Sequence, residues 1–155
     1  MYEPLLFIHS WTRWAVLFGT GLLLWRTLNG WFRNKKWTSQ DNHLVWAYTQ
    51  VFGYQLLFGL TLYLGISPMT KASFMNLKGA WANPILRFWS VQHISWMISA
   101  FVVFQIGKHL SYKKTSIENR HRALAFTTLA STVILLCGIP WPYLVYGRSW
   151  FRGFW

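Results

Sequence analysis

Acidic residues are almost missing from this chain: Glu3, Asp41 and Glu118 stand against fifteen lysines and arginines. No Asp or Glu falls inside a long apolar run, which argues against a proton-relaying transporter, since such relays are built on buried carboxylates. Paired carboxylates for acid–base work, a glycine-rich phosphate loop and a Cys/His metal cluster are absent too, so nothing points to an acid–base or nucleophilic enzyme. The lone cysteine, Cys137 in TVILLCGIP, cannot form an internal disulfide. It reads as a small buried hydrophobe. Charge of either sign is scarce, 12% of residues where soluble domains carry about 25%.

What the chain has instead is apolar and aromatic surface. Hydrophobic residues make up 54% and aromatic ones 20%, including twelve tryptophans, a residue that collects where lipid meets water. The net charge of +12 would suit nucleic acid. The cations, however, sit between apolar runs, as loop charges of a membrane protein do, so a lipid bilayer and not nucleic acid is the expected partner. The N-terminus MYEPLLF lacks a basic leader, and no small-residue cleavage site follows its apolar run. A retained helix is expected there.

A membrane-crossing helix needs roughly 20 mostly apolar residues. Residues 42–70, 88–107 and 123–147 contain no Lys, Arg, Asp or Glu, and 4–28 is broken only by Arg13 and Arg26. The expected fold is therefore all-α. It is a single membrane domain over 1–155, an up-down-up-down bundle of four transmembrane helices near 4–29, 43–66, 84–110 and 119–145. Pro4 and Pro84 suit first helical turns, Ser39, Asp41 and Asn42 offer caps for the second helix, and Pro140 and Pro142 loosen or end the fourth. Nine cations (Arg26, Arg33, Lys35, Lys36, Lys108, Lys113, Lys114, Arg120, Arg122) flank one side. Five (Lys71, Lys78, Arg87, Arg148, Arg152) flank the other. The positive-inside rule then puts both termini outside, in a bacterial inner membrane. Short connections place the first helix diagonal to the third and the second diagonal to the fourth.

LLFIHSWTRW at 5–14 is the oddity of the first helix, because His9 and Arg13 share one face at i and i+4. His9 lies about 7–8 Å along its helix and His93 about 13 Å along the third, both from the outer end. Two imidazoles at one level on diagonal helices match how four-helix bundles hold a cofactor, and haem iron accepts neutral imidazole. Small Ala100 and Gly107 on the His93 face would leave room, with Met97 and Phe104 packing against a flat macrocycle. Arg13 needs an anion at this depth, and a haem propionate would supply one. Simpler roles compete: a histidine bonded to a carbonyl, and an arginine reaching a lipid phosphate.

His43 and His121 start the second and fourth helices on the inner side. They define a weaker second site, for another haem or a quinone headgroup. Interfacial contact is the simpler reading for both, and for His109, which lies about 160° around its helix from His93.

IHSWTRW at 8–14, KKWTSQDN at 35–42, YQLLFGLTLYL at 54–64, ILRFWSVQH at 85–93 and GIPWP at 138–142 together resemble small bacterial integral membrane proteins labelled b-type-cytochrome-like. The resemblance implies a haem b electron-transfer bundle with His9 and His93 as the ligand positions, exchanging electrons with a quinone or with other membrane-protein subunits. The competing expectation is a haem-free accessory subunit of a larger membrane complex, docked through the aromatic tail YGRSWFRGFW. Either reading favours an electron-transfer or accessory protein over a stand-alone catalyst.

Overall fold

A computed structural model describes residues 1–113 and 117–153. Lys114, counted above in a basic connection, and Phe154 and Trp155 of the aromatic tail lie outside the described residues, as does the side chain of Glu118. The described residues are mostly helical, with no strand among them.

Helix α1 (Tyr2–Phe32) runs 31 residues, about 46 Å at 1.5 Å per residue. It ends on Asn34 at φ 49°, with the Lys35 N–H bonded back to the Gly30 carbonyl at 2.9 Å. This is the six-to-one closure that a left-handed residue permits. Helix α2 (Ser39–Thr61) starts one residue before the expected caps, at Thr38. Asp41 sits three residues in, where its carboxylate accepts the Thr38 backbone N–H at 2.7 Å and the Thr38 hydroxyl at 2.8 Å. Arg26 of α1 donates to both oxygens of that carboxylate, tying the C-terminal part of α1 to the start of α2. Burial opposes ionisation of Asp41, but the hydrogen bonds from Arg26 and Thr38 outweigh it and hold the carboxyl below its ordinary value.

A π-helical turn (Leu62–Ile66) extends α2. Three short helices then form the connection: α3 (Pro68–Met75), α4 (Leu77–Ala82) and α5 (Pro84–Arg87). Asn76 and Asn83 cap the last two with their side-chain oxygens. A second π turn (Phe88–Gln92) leads into α6 (His93–Lys113). Helix α7 (Ile117–Gly138) stops seven residues before the expected 145. Pro140 and Pro142 supply no N–H to continue it, and turns follow through residues 142–146.

The long helices pack in a ring in which α1 touches α2 and α7, α6 lies chiefly on α7, and α2 meets α6. Thus α1 faces α6 across the diagonal. Val16, Leu23, Val45, Phe52, Ala100, Phe104, Leu124 and Leu135 fill the centre. Among the described residues one helix, 119–138, is long and apolar enough to cross a membrane (mean hydropathy 1.3). A second qualifies if Ser39–Ile66 and Pro68–Met75, bent by 52°, count as one span. Four spans are thus not established on this ground. The polar residues on α1 (His9, Arg13, Arg26, Asn29) and at the start of α2 (Asp41, Asn42, His43) lower their hydropathy. Cys137, expected to be buried, is exposed on α7.

Candidate functional site

The diagonal brings His9 of α1 and His93 of α6 together. Their ring centroids are 6.4 Å apart and their planes nearly perpendicular, at 83°. His93 Nδ1 is 2.7 Å from the Gly138 carbonyl oxygen. A carbonyl only accepts, so Nδ1 carries the proton and Nε2 keeps its lone pair. Phe88 and Trp89 flank the same ring, at 5.7 and 5.4 Å. The π turn just ahead of His93 contributes both aromatics. Tyr63, in the other π turn, donates its hydroxyl to the Ser90 carbonyl at 2.6 Å and ties the two wide turns together. Such turns recur at functional sites because they re-aim side chains within a continuous helix.

His9 is positioned through Gln55. The Gln55 amide donates to the His9 carbonyl at 3.1 Å and approaches His9 Nε2 at 3.5 Å, while the Thr12 hydroxyl donates to the Gln55 oxygen. Gly59 faces the ring closely, since a Cβ there would lie 3.0 Å from His9 Cε1. His9 Nδ1 is buried without a hydrogen-bond partner. Other buried polar atoms, the Arg87 Nε and the Thr128 hydroxyl among them, also lack a partner, so it is the free space beside this nitrogen that makes room for a further group.

Free space surrounds the two imidazoles. A cavity of about 410 Å³ is lined by both, together with Leu6, Arg13, Met97 and Leu135. Two smaller ones, of about 60 and 30 Å³, also include both histidines. Free space thus adjoins both residues in three separate cavities. Residues after α7 form the outer wall: Gly147, Arg148, Phe151 and Arg152 line the large cavity. This tail lies along α1. Arg13 and the Trp14 indole donate to the Trp150 carbonyl at 2.9 and 3.1 Å, and the Trp11 indole donates to the Arg152 carbonyl at 3.2 Å. Phe151 stacks on Trp14 at 5.5 Å, and Arg152 pairs with Glu3 at 2.6 Å.

The other expected site residues are placed differently. Arg13 does reach the cavity, yet its partner within the chain is the Trp150 carbonyl, not Glu3. Of the His93 face only Met97 lines the cavity. Ala100, Phe104 and Gly107 are buried in helix packing: the Ala100 carbonyl accepts the Ser131 hydroxyl, Phe104 meets Tyr48 edge-on, and Gly107 lies against Thr127. The structure does not unite the second pair. His43 is exposed on α2, whereas His121 is fully buried, 4.8 Å from the Trp37 ring and against Gly30. His109 is exposed. Gln55, Gly59, Trp89, Gly138 and Arg148 escaped sequence reasoning. Gln55 alone left a signal, as a polar side chain inside YQLLFGL.

Among the described residues no group of three or more His, Cys, Asp or Glu is gathered to chelate a bare metal ion. Two imidazoles suit a metal whose remaining ligands come from a macrocycle. Comparison with known protein families, curated proteins and solved structures finds no match to this chain.

Proposed function

We propose that the chain is a membrane-embedded, haem b electron-transfer protein with His9 and His93 as the axial ligands. One observation carries this reading: two diagonal imidazoles line one shared free space with 6.4 Å between their ring centres. A metal bound by two imidazoles takes bonds of about 2 Å to each, which with roughly 1 Å from ring centre to nitrogen sets the centres about 6 Å apart. The proton held on His93 Nδ1 by Gly138 leaves the neutral ligand form, with its ring orientation fixed by a partner beyond the metal. The cavity volume lies within the roughly 300–1,000 Å³ of small-molecule pockets.

The chain's own part is to bind, orient and exclude water. Gly138 and Gln55 fix the two rings, Trp89, Met97 and Leu135 keep the space apolar, and Arg13 offers a cation to a propionate. Haem, when bound there, would supply one-electron exchange, its potential tuned by burial and by the nearby cation. A quinone or a partner subunit is the proposed exchange partner.

The proposed setting is a bacterial inner membrane crossed by four helices, with both termini outside. Large apolar side chains point outward on every long helix: Phe18 and Trp25 on α1, Trp46 and Leu57 on α2, Val102 and Ile106 on α6, Phe126 and Val133 on α7. Polar side chains are turned inward, among them Thr20, Thr27, Gln55, Ser111, Thr128 and Ser131. Apolar surface of this extent favours lipid over water. The haem-free accessory reading drew its support from the aromatic tail. Trp150 and Phe151 pack in part on Trp14 and Trp11 of the same chain, which gives them a role within the fold, while both keep exposed ring surface.

The test is a reduced-minus-oxidised visible spectrum of protein purified in mild detergent after expression with ample haem. A b-type difference spectrum is expected. Protein that stays colourless under these conditions overturns the reading.

A further inference from the structure

The cavity walls carry three arginines, Arg13, Arg148 and Arg152, and no acid. Arg152 already has its counter-ion in Glu3. The other salt bridge among the described residues joins Arg26 to Asp41, two residues that do not line the cavity. Arg13 and Arg148 are held only by neutral, electron-rich groups. Arg13 donates to the Trp150 carbonyl and lies 5.3 Å from the centre of the Trp14 ring. Arg148 lies over Trp89 at 4.9 Å, and its backbone N–H bonds the Pro140 carbonyl at 3.0 Å. These contacts orient both guanidiniums without neutralising them. Arg148 also borders the second cavity, next to His9 and His93. The two cations come from different segments, α1 and the tail, and meet one shared space.

We propose that Arg13 and Arg148 form a paired carboxylate subsite at the mouth of the His9–His93 cavity, selecting a planar ligand that carries two acid groups. The inference rests on the haem reading and extends it to Arg148 and to ligand choice. A guanidinium binds a carboxylate through parallel N–H donors, and in a water-poor site such bonds strengthen. The Trp150 carbonyl takes one N–H of Arg13 at Nη2 and leaves the other donors of the guanidinium for an acid group.

The experiment uses the full-length haem-free protein in neutral maltoside micelles, titrated with iron protoporphyrin IX and with its dimethyl ester. The Soret band reads binding, and far-UV circular dichroism reads folding. The diacid is expected to bind at least tenfold more tightly than the ester. In Arg148→Gln, and more so in the Arg13→Gln/Arg148→Gln pair, the diacid should fall towards the ester's affinity. The ester, which needs only the histidines and the apolar walls, should bind as before and so report an intact pocket. Equal affinity for diacid and ester in the unmodified protein overturns the subsite and leaves the haem reading standing. Failure of both ligands to bind overturns the haem reading itself. A gap that closes on adding phosphatidylglycerol assigns the arginines to lipid phosphate and overturns the subsite.

Discussion

Replacing Gly107 with alanine would place a methyl carbon 1.8 Å from the Thr127 hydroxyl oxygen and 2.2 Å from its Cβ. Thr127 has little freedom to retreat. It is β-branched within a helix, and its hydroxyl donates to the Ala123 carbonyl at 2.9 Å. Relief therefore requires α6 and α7 to separate by about an ångström or more, a distance over which close-packed atoms lose much of their dispersion contact. Overpacking of this kind costs about 1–3 kcal/mol. The same seam carries the Ser131–Ala100 hydrogen bond and the His93–Gly138 bond, both 2.7 Å, so its opening reaches the candidate ligand. Unfolding in maltoside micelles, by heat or by added dodecyl sulfate and followed by circular dichroism, measures the loss. Thr127→Gly removes the obstructing atoms and itself costs about 1 kcal/mol as a helix glycine. The double variant should recover about 1 kcal/mol or more relative to the sum of the singles. A Gly107→Ala protein as stable as the parent would refute the packing argument.

Near the end of α1, Gly30→Ala puts a Cβ 2.4 Å from the buried His121 ring, so the variant should lose about 1–3 kcal/mol in the same unfolding assay. Adding His121→Ala should bring it back to the level of His121→Ala alone; no recovery would contradict the contact. The Asp41 carboxyl is held below its ordinary value, so its stabilisation is complete above the usual carboxylate range and fades as pH falls through the lowered value. Asp41→Asn, with Arg26 still reaching water, should cost about 1–3 kcal/mol at neutral pH and flatten the acid limb of the stability profile. An unchanged acid limb would exclude Asp41 as its source. For the membrane reading, a nitroxide at Val102→Cys in a Cys137→Ser background, in liposomes, should collide with oxygen far more than with a polar nickel chelate. The reverse ratio would place the exposed face of α6 in water.

Much of the helical layout could be read from the chain, because runs without charge announce long helices and Pro84 and Pro140 mark ends. The level match of His9 and His93 was legible for the same reason: helix rise converts residue number into height. Less legible was anything set by distant contacts. The π turns at Leu62–Ile66 and Phe88–Gln92 alter register by a residue that no local propensity specifies. The tail closes the cavity through Glu3–Arg152 and Arg13–Trp150, pairs 149 and 137 residues apart. Small residues misled in a particular way. Ala100 and Gly107 looked like room for a macrocycle, but in the fold they let α6 approach α7.

The central claim, a haem held by one imidazole from α1 and one from α6, is met most directly by the haem-to-protein ratio and low-spin spectrum of the parent beside His9→Ala and His93→Ala. The expected result is a six-coordinate, low-spin b-type haem in the parent, with its low-spin signal abolished by either substitution. Full low-spin haem in both variants would contradict the account and move the ligands elsewhere.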